Sequence, residues 1–493
     1  MLLKAPGGKS FVNEIWKLIG DSSPRGIAAA IARHITSGEL APGDRLPTVR
    51  ELGATLGVSP ATVSHAWQAL SQAGLIESRG RAGSFVRQHP RAWLPPRMLG
   101  LAAGAELAPD AAHLDLSRGT PDPLLLPTLG PALSRVSVHA ETASYHELPV
   151  IPALGRVLDE SWPYRAESLT VVDGALDAVS RSLEAVVRFG DTVVLENPGF
   201  PAFFDLVSAL GATVVPVAID ENGIVPSALA AAMLQGPSAI VLQPRAQNPT
   251  GASMPVERAH ELARVITASR NGSRVMVIED DHSGAISTAP AVSLGQWIPA
   301  QVLHVRSFSK SHGPDLRIAA LGGPAELIDR IVSRRMLGPG WTSRMVQRIL
   351  ADLLTDGTAL DEVTEARRQY YSRQKALSAE LALRGVHAAS GAEGAALPDG
   401  INLWLPVANE RAALVQLAAV GIRVAPGSPF LAGGAVHAGA GTGTARGLGS
   451  VPGVGPGFVR VTAGMVRGNA AAVAEALAAA ALPGPPAFYT LEA

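Results

Sequence analysis

The sequence contains no cysteine. Disulfides, thiolate-bound metals, iron-sulfur clusters and cysteine nucleophiles are thereby excluded together, and no metal site is expected. Aromatic residues are scarce at 4%, yet hydrophobic residues reach 47% against 17% charged, the balance of an Ala- and Gly-rich globular protein rather than a disordered chain. No charge sign dominates. The 41 Lys and Arg against 42 Asp and Glu leave a net charge of -1, so a nucleic acid or membrane partner would have to meet a local patch. Long apolar runs are missing as well. The start, MLLKAPGGKSFVNEIW, lacks a signal-peptide core, and the Ala-rich run from Asn469 to Leu482 is interrupted by Glu475 and too weakly hydrophobic to span a bilayer. The expectation is a soluble, cytoplasmic protein without a membrane partner.

The charge that is present is segregated. Residues 1–90 carry a net +4, which leaves -5 for the remainder. The stretch HPRAWLPPRMLGLAAGAELAPDAAH is rich in Pro, Gly and Ala without a sustained apolar period, the composition of a semi-extended linker. The expected organisation is a small domain over residues 10–88, a linker over 89–113 and a large domain over 114–485. In the large domain the runs LTVVD, DTVVLE, ATVVPV, SAIVLQP, RVMVIEDD and QVLHV alternate with Ala-rich helical segments. That alternation predicts an α/β fold with a mostly parallel sheet covered by helices. The Gly-rich run from Gly433 to Gly457 reads as a low-complexity loop and not a phosphate loop, since no Lys-Ser/Thr pair follows it.

In the small domain, Ile27 to Ser37 reads as a helix. Thr48 caps a second over Val49 to Leu56, and Ser59 with Pro60 starts a third that runs to Ala73. Leu52, Leu56, Val63, Trp67 and Leu70 recur at core spacing. Leu75 to Val86 alternates as a two-stranded wing with Arg79, Gly80, Arg81 and Gly83 at its tip. Helix N-termini and guanidiniums hold phosphates while side chains of a recognition helix read base edges. The candidates for contact with DNA are Arg45, Arg50, Ser59, Thr62, Ser64, His65, Arg79 and Arg81. The run GDRLPTVREL...GVSPATVSHAWQAL...GLIESRGRAGSFV resembles the winged helix-turn-helix of GntR-type regulators, which implies double-stranded operator DNA as partner. One departure is Pro60, which stands where such recognition helices usually have an arginine.

In the large domain several separated motifs converge on one chemistry. Lys310 lies just after a strand, flanked by Ser307 and Ser309 and followed seven residues later by Arg317. A Schiff-base lysine needs its amine beside an aldehyde whose phosphate is clamped nearby, and arginine clamps phosphate as a charged fork. A solitary Ser-x-x-Lys is ordinarily a solvated lysine; the other motifs give it company. Asp280 ends a strand, where it can keep a pyridine nitrogen protonated, and Asn248 ends another, where it can donate to a phenolic oxygen. Gly174 and Ala175 open a helix whose amides can meet a phosphate, and Phe200 offers a ring face. Arg460 suits a carboxylate.

This set, in this order, resembles fold-type I aminotransferases, and with the GntR-like head it resembles the MocR/GabR regulators. The resemblance implies pyridoxal phosphate (PLP) as cofactor, a seven-stranded sheet, and a head-to-tail homodimer in which Tyr145 reaches the neighbouring subunit's phosphate. Two positions depart from the family pattern: His282 replaces a tyrosine that contacts the phenolic oxygen, and Phe200 replaces another tyrosine. The functional expectation is a transcriptional regulator that senses PLP, or a small amino-compound effector with it, through an aldimine at Lys310. The competing expectation is a working aminotransferase that carries a DNA-binding domain.

Overall fold

The computed structural model describes residues 19–37, 39–72, 75–78, 82–87, 94–103, 113–137, 147–388, 397–433 and 457–481. Arg79, Arg81 and Tyr145 lie outside them. Two compact units are distinguished, one comprising the chain up to Pro95 together with Val187–Val193 and Phe204–Val214, and the other the remaining chain from Pro96 onward.

In the first unit, three helices pack around one apolar centre. Helix α1 (Pro24–Thr36) opens on Ser23, whose hydroxyl accepts from the Gly26 amide, with Pro24 at its first position. Helix α2 (Val49–Leu56) opens on a capping box: Thr48 Oγ1 accepts from the Glu51 amide at 3.2 Å, and Glu51 Oε2 accepts from the Thr48 amide at 2.8 Å. It stops at Gly57, whose φ of 68° suits glycine. Helix α3 (Pro60–Gln72) follows Ser59, whose hydroxyl accepts from the Thr62 amide. Strands β1 (Ile76–Ser78) and β2 (Ser84–Val86) form an antiparallel wing that pairs Ile76 with Val86. The turn before α2 joins the wing edge through the Arg45–Phe85 bridge.

Ile27, Ile31, Leu52, Val63, Trp67 and Leu70 fill the centre, with Leu56 half-buried against it. Leu70 is fully buried, and its truncation leaves a cavity that so small a core cannot collapse around. Leu70→Ala is expected to destabilise this unit by roughly 2–5 kcal/mol, seen as an early unfolding step in thermal denaturation of the full chain.

The second unit begins differently from the sequence expectation. The connector is not extended throughout: Pro96–Ala103 forms helix α4. Pro96 at the start and the half-buried apolar residues Met98, Leu99 and Leu101 give it a helix opening and an apolar side, which its overall Pro/Gly content concealed. Beyond it come β3 (Leu114–Leu116), α5 (Gly130–Ser137) and α6 (Pro152–Glu160). Next are β4 (Ser168–Val172), α7 (Ala175–Val186), β5 (Thr192–Asn197), α8 (Pro201–Ala209), β6 (Thr213–Asp220) and β7 (Gly223–Ile224). Helix α9 (Pro226–Met233), β8 (Ala239–Leu242), α10 (Val256–Ala268), β9 (Met276–Asp281), β10 (Val302–Ser307) and β11 (Ala319–Gly323) complete the large sheet.

The large sheet has eight strands in the order β4-β11-β10-β9-β8-β5-β6-β7. It therefore exceeds the expected seven by β7, a two-residue edge strand antiparallel to β6. Strands β8, β9 and β10 run parallel, whereas β11 is antiparallel to both β10 and β4. It follows that β4, β8, β9 and β10 all end at the same edge. All six apolar runs named above are strands of this sheet, and the buried Val194, Ile240, Val277 and Val302 lie in its core.

Helices α11 (Ala325–Met336), α12 (Arg344–Leu353) and α13 (Gly357–Ala382) lead to a smaller sheet. It comprises β12 (Leu403–Val407), β13 (Ile422–Pro426), β14 (Gly457–Val461) and β3, with α14 (Glu410–Ala419) and α15 (Ala470–Ala481) beside it. Its order is β12-β14-β13-β3, and its own core includes Leu377, Leu405, Leu417, Val459 and Leu477. Among the described residues no helix is long and apolar enough to cross a membrane.

Candidate cofactor and DNA-binding sites

Because β4, β8, β9 and β10 end at one edge, the segments that follow them meet there. They enclose a cleft of about 260 Å³ whose lining includes Ala175, Phe200, Asn248, Asp280, His282, Ser307, Ser309, Lys310, Arg317 and Arg460. Residues scattered from 175 to 460 in the sequence are thus brought together. Gly174 adjoins them: its φ is +107°, and a Cβ there would stand 2.7 Å from an Arg317 nitrogen. The close approach explains the glycine, and it sets Arg317 beside the start of α7, where Arg317 donates to the Asp173 carbonyl at 2.9 Å. Free amides of a helix start, two serine hydroxyls and a guanidinium form a cup for a dianion.

The Lys310 amine donates to the Gly119 carbonyl at 2.7 Å. Burial, reinforced by the nearby Arg460 charge, pushes it down to about 8, which gives a neutral, nucleophilic fraction near physiological pH. Asp280 accepts from Gln243 Nε2 at 2.8 Å, and Gln243 Oε1 accepts from the Asn248 amide at 2.8 Å. The sequence reading passed over Gln243 because an amide has no titration chemistry to advertise it, yet it fixes both Asp280 and Asn248. Burial pushes the Asp280 carboxyl up to about 7 against that hydrogen bond. Glu196, also passed over, is buried behind it and pushed by burial up to about 8.

His282 differs from expectation. Its Nε2 lies 2.8 Å from the Ala246 carbonyl, which can only accept, so Nε2 carries the proton. Burial and the Lys310 charge hold the ring down to about 4. Its Nδ1 is therefore bare, and the ring's one N–H is already spent on Ala246 rather than available to a phenolic oxygen. Arg460 is buried, donates to the Ser117 carbonyl, and stands 5.2 Å from the Phe430 ring centre. Burial brings it down to about 10, and among the described residues no carboxylate pairs with it.

Three polar atoms in this cleft, Asn248 Oδ1, Asp280 Oδ1 and Arg460 Nε, are buried without a hydrogen-bond partner. Orphaned buried polar atoms are rare and costly, so three in one cleft mark a place built for a polar ligand. The same burial makes a pH prediction. A carboxyl whose folded pKa is raised favours the folded state only while protonated, so its contribution is lost as pH rises from the unfolded value through the folded one. With Asp280 near 7 and Glu196 near 8, and with His282 and His312, both held down to about 4, adding stability only up to their ordinary value of 6.5, the melting temperature of the cofactor-free chain is expected to fall between pH 6.5 and pH 8. Asp280→Asn should flatten that fall in a thermal-shift series.

In the first unit Arg45 and Arg50 are exposed, as are Ser59 and His65, while Thr62 and Ser64 are half-buried. Arg45 lies against the wing: a Cβ on Gly83 would come within 3.1 Å of its Nε. The Ser59 and Thr62 hydroxyls bond each other at 2.9 Å, so both serve the helix start. The open face of α3 is formed instead by Ala61, Ser64, His65 and Gln68, at i, i+3, i+4 and i+7. Gln68 was not singled out from the sequence, although its spacing places it on that face.

A small helical unit with a wing and a large unit with an aminotransferase-type cleft define a class of protein, the GntR-type regulator fused to an aminotransferase-like domain. The family described as bacterial regulatory proteins, gntR family, matches residues 24–86, and aminotransferase class I and II matches residues 114–477. The chain belongs to these families and is of the MocR type. It is 33% identical to the vitamin B6 salvage pathway transcriptional repressor PtsJ of Salmonella typhimurium, over 84% of this chain and 92% of that one. It is 28% identical to the HTH-type transcriptional regulator TauR of Rhodobacter capsulatus, over 81% and 88%. It is 25% identical to the pyridoxine biosynthesis regulator PdxR of Corynebacterium glutamicum, over 72% and 77%. Among solved structures, an aspartate aminotransferase from Thermus thermophilus with maleate shares the fold at a TM-score of 0.64 and 21% identity, covering 80% of this chain and 99% of that one.

Proposed function

We propose that this protein is a cytoplasmic, homodimeric transcriptional regulator whose affinity for operator DNA is set by PLP held at Lys310. The observation that carries the reading is the convergence of Lys310 with the unpartnered atoms Asn248 Oδ1, Asp280 Oδ1 and Arg460 Nε in one cleft of a chain that also has a winged helix-turn-helix. The residues fit PLP. Lys310 would hold its aldehyde covalently, Asp280 its ring nitrogen and Asn248 its phenolic oxygen. Gly174, Ala175, Ser307, Ser309 and Arg317 would hold its phosphate, and Phe200 would flank the ring. When bound, the group supplies an electron sink and a visible chromophore. Tyr145 of a second copy would complete the phosphate site in a head-to-tail pair. The likeness to PtsJ and PdxR supports genes of vitamin B6 supply as targets. In the first unit, Arg45, Arg50, Arg79 and Arg81 would contact DNA together with Ser64 and His65, while Ser59 and Thr62 would hold the start of the recognition helix.

The aminotransferase reading keeps one specific support, the pairing of a depressed lysine with an uncompensated arginine suited to a carboxylate. One experiment separates the two. Labelled upstream DNA is titrated with the full-length chain, with and without PLP, while an amino donor and a keto acid are supplied in parallel. A change in DNA affinity with PLP and no steady turnover supports regulation. Indifferent DNA affinity with sustained turnover overturns it.

A further inference from the structure

The connector helix α4 is not a passive spacer. Met98 and Leu101, one turn apart, both line the cofactor cleft. On its flank, Arg97 donates to the carbonyls of Pro429, Leu431 and Ala432 at 2.7, 2.8 and 3.3 Å. Gly100 faces the same segment, where a Cβ would stand in contact with the Pro429 ring at 3.4 Å. The helix is thus fastened to the segment that contains Phe430, and Phe430 is the ring over which Arg460 sits. The carboxylate-binding guanidinium and the connector helix share one support.

The chemistry of the remaining wall narrows what the cleft accepts. Beyond the residues assigned to PLP, its apolar lining is Met98, Leu101, Leu176, Phe203 and Pro314; Gly119 and the uncharged Gln243 and His282 also face it, and Arg118 stands at its edge. Arg118 is mostly exposed and paired with Asp115 at 2.8 Å. Among the described lining residues the sole carboxylate is Asp280, which is committed to the ring nitrogen. A ligand with a distal ammonium finds no counter-charge. An aliphatic side chain finds a thioether, a leucine and a phenyl ring.

We propose that the PLP-bound cleft takes a small aliphatic α-amino acid as co-effector, its carboxylate on Arg460 and its side chain against Met98 and Leu101. The helix that leads back to the DNA-binding unit is then itself one wall of the effector site. A ligand shifts a conformational balance only through contacts that differ between the states, and contact with the connector supplies such a difference directly. The inference rests on the PLP reading above and names the ligand class for that site.

The test uses the full-length chain loaded with PLP, with L-leucine, L-aspartate and L-lysine as probes. Binding is read by calorimetry, PLP content by absorbance, and operator affinity by fluorescence anisotropy. L-leucine is expected to bind at least about tenfold more tightly than L-lysine, the discrimination available to an apolar pocket, and to change operator affinity. The double variant Met98→Ala/Leu101→Ala should lose that preference, and Met98→Glu should reverse it in favour of L-lysine, a gain that misfolding cannot mimic. If PLP binds and alters operator affinity but no probe binds, or all three chains rank the probes alike, this inference is overturned and the PLP reading stands. If PLP does not bind, both fall.

Discussion

Replacing Lys310 with alanine is expected to reduce the borohydride-fixable PLP label to background and to abolish the visible absorbance that depends on covalent attachment. Lys310 is the lysine of the cleft, and among the described lining residues no other offers a primary amine to an aldehyde. The phosphate cup, made of backbone amides, Ser307, Ser309 and Arg317, survives the substitution, so PLP should still enter but be removable by dialysis. A pH series sharpens the assignment. Burial brings the Lys310 amine down to about 8, so the rate of attachment to wild type should climb by roughly tenfold per pH unit up to that point and then level off. An exposed lysine would go on climbing to about 10. Undiminished label in the alanine variant would remove Lys310 from its assigned role.

Most motifs of the cleft were legible because they sit at or just past a strand end, where residue type and position are both constrained; Arg460 instead lies within β14. Ser307 to Lys310 follows β10, Asp280 ends β9, and Asn248 follows β8; the parallel sheet does the gathering. What escaped was whatever depends on orientation or on a partner distant in sequence. Gln243 is an ordinary amide until its contacts with Asp280 and Asn248 are seen. His282 was read from its family position, yet the Ala246 carbonyl decides where its N–H points. Thr62 looked free to reach DNA, but its hydroxyl bonds that of the capping Ser59 at a helix start. The connector misled most, because its Ala, Pro and Gly content hides an eight-residue segment in which Met98, Leu99 and Leu101 suffice for a docked helix. Propensity is a weak prior, and tertiary contact through Arg97, Met98 and Leu101 overrides it.

Removing residues 1–95 is expected to abolish sequence-selective DNA binding while leaving PLP attachment intact, since the cleft is lined by residues of the second unit. Within the first unit, the exposed Arg45 and Arg50 separate two kinds of contact. If an arginine holds a phosphate, its alanine variant should weaken binding to all sequences alike and reduce the salt slope by about one unit. A bidentate base contact should instead cost roughly 1–3 kcal/mol at one operator position. The coupling between the halves is the stricter measurement. Linkage requires that operator DNA change PLP affinity by the same factor by which PLP changes operator affinity, and couplings of this kind are typically about 5- to 150-fold. Both factors can be measured on the full-length chain, PLP by absorbance and DNA by anisotropy. Equal factors well above one, collapsing towards one in Lys310→Ala, are the outcome expected of a regulator that reads its cofactor. A factor of one in wild type, with both ligands bound, would mean that the DNA-binding unit and the cofactor cleft share a chain without sharing a signal.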